Sequence, residues 1–183
     1  MAAFDPLQTL AAAVISVRMV IRSEEPRDAA RIRELIRQAF LVAEHSSGTE
    51  WKIVDGLREG GALTLSLVAE QGDNLVGHVA VSPVAIDGTP GWYGLGPVAV
   101  LPRFQGTGIG SALVQEALDR LRLSGASGCV VVGEPAFYRR FGFLHEPALS
   151  YADVPPPYVQ LCDFGAQHPF GPVRYHPAFD DVS

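Results

Sequence analysis

Apolar and polar positions change period repeatedly along this chain, and each change marks an element. Residues 17–22 predict a first strand, with Met19-Val20-Ile21-Arg22 as its natural start. Ser23-Glu24-Glu25-Pro26 then reads as a helix start, and residues 27–40 place Ile32, Leu35, Ile36 and Ala39 on one helical face, with Arg31, Arg33 and Arg37 mostly outward. His45-Ser46-Ser47-Gly48 breaks that pattern; a short second helix runs to Arg58, and Gly60-Gly61 ends it. Three strands follow at residues 63–70, 75–86 and 92–101, joined by the hairpin-type connections Gln71-Gly72-Asp73-Asn74 and Asp87-Gly88-Thr89-Pro90. A helix over residues 111–123 and a buried-type strand over 128–132 complete the legible part, in the order βαα-βββ-αβαβ. Pro155-Pro156-Pro157 predicts a stiff extended stretch, with strand-like residues 158–162 and 173–175 after it. This is an α/β pattern, with a mixed sheet and helices on both faces.

The richest stretch chemically joins the fourth predicted strand to the third helix: Val100-Leu101-Pro102-Arg103-Phe104-Gln105-Gly106-Thr107-Gly108-Ile109-Gly110. It sets bare N–H groups at a helix N-terminus, and its three alternate glycines let a ligand approach the backbone without meeting a Cβ. That suits a phosphate or pyrophosphate. A dinucleotide fingerprint needs G-x-G-x-x-G, whereas Gly106, Gly108 and Gly110 give G-x-G-x-G. A Walker loop fails, because no Lys follows the last glycine. A tight structural turn without a ligand stays open at this point.

The next segment narrows the choice. Cys129-Val130-Val131-Val132 leads into Gly133-Glu134-Pro135-Ala136-Phe137-Tyr138-Arg139-Arg140-Phe141-Gly142-Phe143. Here the chain resembles the GNAT superfamily of acyl-CoA-dependent N-acyltransferases, and in particular a bacterial subgroup of predicted N-acetyltransferases. Gln105, Gly108 and Gly110 match the family's Q/R-x-x-G-x-G/A loop, Tyr138, Gly142 and Phe143 its Y-x-x-x-G-F block, and Val100-Leu101-Pro102 its V-x-P lead-in. The closing Arg174-Tyr175-His176-Pro177-Ala178-Phe179 is similar to that subgroup too, so the resemblance covers about residues 17–179.

The resemblance implies a mixed, mostly antiparallel central sheet flanked by helices on both faces and splayed between the fourth and fifth strands. It also implies acetyl-CoA as co-substrate and an amine as acceptor. Gln105, Gly106, Thr107, Gly108, Ile109 and Gly110 would hold the pyrophosphate, and Val98, Ala99 and Val100 the pantetheine arm, which imitates a missing strand. Gly96-Pro97 fits a bulge that opens the splay, and a main-chain N–H near Val98 would face the thioester oxygen. Tyr138 would protonate the departing thiolate. Many members carry an Asn where Gly133-Glu134-Pro135 stand, and Glu134 is first of all a helix cap there. Candidates for base or acceptor binding are Glu50, His78 and Glu134, each with a plainer structural role available, and a chain of waters is a fourth option for the base; late aromatics such as Tyr151, Tyr158 and Phe170 would wall the acceptor pocket.

Composition limits the alternatives. A chain of 183 residues with 48% hydrophobic and 19% charged residues fits one domain over residues 16–183, behind an N-terminal extension at 1–15. Net charge of −6 and the lack of a basic run argue against nucleic acid as a partner. Cys129 and Cys162 lack C-x-x-C spacing, which predicts a reducing, cytoplasmic setting, and the five histidines show no metal-ligand spacing, so no metal is expected. No apolar run reaches the about 18 residues needed for a membrane span. Homodimers are common in the family. A non-catalytic acyl-CoA sensor is the alternative function, and the identity of the acceptor is not written in these motifs.

Overall fold

Ile32, Leu35, Ile36 and Ala39 recur at helical spacing, and all four are buried against the sheet. The computed structural model describes residues 18–41, 47–165 and 168–182. The expected extension at 1–15, the start of the first predicted strand and His45 lie outside these residues. The strands are β1 (Met19–Ser23), β2 (Leu65–Gln71), β3 (Asn74–Pro83), β4 (Ala85–Ile86), β5 (Trp92–Val100), β6 (Gly128–Val132), β7 (Leu144–His145), β8 (Leu149–Ser150), β9 (Val159–Asp163) and β10 (Gly171–Arg174). The helices are α1 (Ala29–Phe40), α2 (Trp51–Glu59), α3 (Ile109–Leu123) and the single-turn α4 (Pro135–Tyr138).

Among the described residues the main sheet has the order β1-β2-β3-β5-β6-β9-β7, and β4, β10 and β8 form a small second sheet. Every neighbouring pair in the main sheet is antiparallel except β5 and β6. One face carries α1 and α2, whose apolar stripes meet Val68, Ala80 and Ala99. The other carries α3, where Leu113, Val114, Ala117 and Leu118 pack on Val79, Val81, Cys129 and Val131. Alternate residues of β5 and β6 therefore serve two different cores.

The parallel pair is short. Trp92, Tyr93 and Gly94 face Gly128, Cys129 and Val130, and pairing stops there. On its other side β5 stays bonded to β3, but Val79 faces Val98 while Val81 faces Leu95, so Gly96 and Pro97 together stand opposite Ala80 alone. This bulge turns the second half of β5 away from β6, as the sequence led one to expect between the fourth and fifth strands.

Several boundaries differ from expectation. The long strand over 75–86 breaks after Pro83, and Ala85–Ile86 pair with β10 instead. The expected extended proline stretch closes into a 3-10 turn at Pro156–Tyr158, since prolines at its first two positions need no N–H partner. Asp28 ends the 3-10 turn Pro26–Asp28 that leads into α1: its carboxylate accepts from the Glu25 N–H at 2.9 Å and pairs with Arg22 at 2.6 Å.

Candidate active site

The bulge leaves the β6-facing edge of residues 95–100 without a strand partner among the described residues. A cavity of about 970 Å³ opens along it. Val98 and Val100 line this cavity, whereas Ala99, one residue out of phase, is buried in the α1 core. Any contact Ala99 makes with a bound arm is therefore through its backbone.

Beyond Val100 the chain makes a 3-10 turn at Pro102–Phe104 and then the glycine loop. Gly106 has φ +75° and Gly108 φ +91°, left-handed values that glycine adopts without the clash a Cβ brings. Gly108 is the residue before α3, so the first N–H groups of that helix open beside it. Gln105, Gly106, Gly108, Gly110 and Ser111 line the cavity. Thr107 and Ile109 do not: the Thr107 hydroxyl donates to the Phe104 carbonyl at 2.6 Å, and Ile109, the first residue of α3, is buried in the core. The Gln105 amide donates to the Val100 carbonyl at 3.1 Å, tying the loop to the strand end.

Across the gap, β6 ends at Val132 and is followed by Gly133 and Glu134. The Glu134 carboxylate accepts from the Ala136 N–H at 3.4 Å and caps α4, with Pro135 at the helix's first position. Tyr138 closes that helix and lines the cavity. Its ring meets Phe137 edge-on at 4.9 Å and Phe143 at 5.7 Å, and burial raises its phenol above the usual value of 10. The group is thus protonated across the neutral range. Gln160, fully buried on β9, donates to the Gly133 carbonyl at 2.9 Å and fixes the strand end. Nothing in the local pattern around Gln160 marks that role.

Glu50 precedes α2 and lines the cavity, its carboxylate accepting from the Ser47 N–H at 2.8 Å. His78 stands elsewhere. It is fully buried, its Nε2 is 2.8 Å from the Ser66 hydroxyl, and burial lowers its pKa to about 4. It does not line the cavity, so it is a neutral core residue and not a base at this site. Of the tail aromatics, Tyr151 lines the cavity, while Tyr158 and Phe170 are exposed and do not. Tyr175 and Phe179 line it instead; the sequence marked both within the closing Arg174–Phe179 motif but gave them no place in the pocket.

Cys129 and Cys162, distant in sequence, are direct cross-strand neighbours on β6 and β9, both buried and unbridged. Among the described residues no cluster of His, Cys, Asp or Glu is arranged to hold a metal ion, and no helix is long and apolar enough to cross a membrane.

Known proteins share this sequence family and fold. The family profile described as "Acetyltransferase (GNAT) domain" matches residues 63–144. The uncharacterized N-acetyltransferase YhbS of Escherichia coli K12 is 43% identical over 127 residues, which cover 68% of this chain and 73% of the relative. A GNAT family acetyltransferase from Brucella melitensis, solved with acetyl-CoA, has 50% identity and TM-score 0.80 over 90% of this chain and 99% of its own. The E. coli YhbS structure, solved with CoA, superimposes with TM-score 0.80 at 35% identity, over 90% of this chain and 93% of its own.

Proposed function

The chain belongs to the GNAT superfamily of N-acetyltransferases, and from that premise we propose that it moves an acetyl group from acetyl-CoA to an amine by direct attack within a ternary complex. The observation that carries the assignment of roles is the strand-edge gap between β5 and β6, bordered by the glycine loop on one side and Tyr138 on the other. In this reading the N–H groups at the start of α3 take the pyrophosphate, and the open edge of residues 95–100 takes the pantetheine amides as a substitute strand. The Val98 N–H is the proposed donor to the thioester oxygen as charge develops on it.

The chemistry balances with one acid and water. The neutral amine nitrogen bonds to the carbonyl carbon while the C–S bond breaks. The Tyr138 hydroxyl protonates the departing sulfur, and the proton lost by the nitrogen returns through water to the phenolate. An amide and free CoA thiol remain. Two buried, free cysteines suit a reducing compartment, so the cytoplasm is the proposed setting.

Calorimetric titration with acetyl-CoA and with NAD(H), on the wild type and on Gly108→Trp, tests this reading. Acetyl-CoA binding that the variant loses supports it. Failure of the wild type to bind acetyl-CoA overturns it.

A further inference from the structure

The charge census of the cavity restricts the acceptor. The chain has 14 Lys and Arg residues, and every one lies within the described segments. Among them only Arg140 lines the cavity. Its guanidinium lies 5.1 Å from the centre of the Phe137 ring, and that ring is also what a Cβ at Gly110 would approach, at 3.8 Å. Arg140 therefore belongs with the glycine loop, on the side given above to the pyrophosphate.

The opposite end is built differently. Tyr175 packs flat enough on the sheet that a Cβ at Gly94 would lie 2.3 Å from its ring, so a glycine at the start of the splay makes room for it. Tyr151 and Phe179 flank Tyr175 with ring centres at 4.8 and 4.7 Å, giving a three-ring wall. Leu95, Ile53 and Glu50 also line the cavity, and Asp180 acts electrostatically on Tyr151. Apart from Arg140, no Lys or Arg lines the cavity.

We infer that the acceptor is a primary amine on an aromatic or apolar body that carries no carboxylate or phosphate, as in an arylalkylamine. This rests on the transferase reading above. A carboxylate brought to this wall would be desolvated beside rings without a cation, and would also face Glu50. An ammonium has the opposite sign and can approach past the same Glu50 before losing its proton. An apolar body gains from burial against the three rings, whereas a polyamine chain offers little area and a second charge to desolvate.

The test compares phenethylamine, L-phenylalanine and putrescine, with CoA thiol release as the rate and calorimetry on the protein–CoA complex for amine binding. The first two differ only by the carboxylate. Phenethylamine is expected to exceed each of the others by about tenfold or more in kcat/KM, and to bind the CoA complex more tightly. Parity, or preference for phenylalanine or putrescine, overturns the inference while leaving the transferase reading intact. So does the absence of phenethylamine binding to a protein that binds acetyl-CoA. A protein that binds no acetyl-CoA overturns both.

Discussion

A Cβ placed on Gly133 would lie 2.4 Å from Cε2 of Tyr138, so the tyrosine ring occupies the space a side chain at the strand end would fill. Any side chain at residue 133 is incompatible with the ring position seen here. Gly133→Ala is expected to displace the phenol without opening the core, since Gln160 still holds the Gly133 carbonyl. A shift near 1 Å in a catalytic group costs up to about 100-fold. The expected result is a large fall in kcat with acetyl-CoA affinity near wild type. Unchanged kcat would remove Tyr138 from the chemistry or show that its ring has freedom to spare.

Tyr138→Phe keeps the ring and its edge-on contacts with Phe137 and Phe143, and removes only the proton donor. Loss of a general acid predicts a fall of about 10²–10⁴ in kcat with little change in melting temperature. Because burial raises this phenol, the wild type should lose no activity through its ionisation near pH 10. The pH–kcat profile, together with phenolate absorbance in wild type and variant, checks both points.

Two glycines of the loop predict opposite effects on stability and the same effect on binding. Gly108 has φ +91° and open space around it, so Gly108→Ala costs about 1–2 kcal/mol of backbone strain. Gly110 lies in the first turn of α3, where a Cβ would make ordinary contacts at 3.5 Å with Val100 and 3.8 Å with Phe137. Gly110→Ala should therefore stabilise by up to about 1 kcal/mol. Both place a methyl at the cavity and should weaken acetyl-CoA by about tenfold, or ~1.4 kcal/mol. A Gly110→Ala protein that melts higher and binds equally well would free this position from the ligand.

The loop and the tyrosine turn that border the cavity were legible because each is local: Gln105 to Gly110 and the turn at Tyr138 each sit within one short segment. Strand 128–132 was legible to the residue, since an unbroken apolar run between a glycine and a helix cap has one reading. The aromatic wall was legible only at Tyr151. Tyr151, Tyr175 and Phe179 come from irregular segments where aromatics mostly signify packing, and two-residue strands such as β7 and β8 are too short to show a period. Gln160 and Gly133, and likewise Cys129 and Cys162, meet only through strand pairing, which local spacing does not encode.

His78 illustrates the same limit and gives a pH prediction. Alternation placed it on a strand, but not its neighbours: the Ser66 hydroxyl lies 2.8 Å from its Nε2 and also donates to Glu24, which Arg58 grips through two bonds of 2.9 Å. Burial pushes Glu24 up, yet Arg58 and Ser66 draw it below the usual carboxylate value, so it stays ionised. Burial meanwhile lowers His78 from 6.5 to about 4. Between those values the unfolded chain binds a proton that the folded protein refuses. The stability this represents is fully present above pH 6.5 and is lost as the pH falls toward 4. The shift corresponds to about 3 kcal/mol. Denaturant unfolding at pH 7 and pH 4 should therefore show wild type losing about 3 kcal/mol more than His78→Gln, since the variant keeps the Glu24–Arg58 pair but has no imidazole to charge. Equal losses in the two proteins would mean that His78 charges in the folded state, and the core around it would have to contain a partner for the imidazolium.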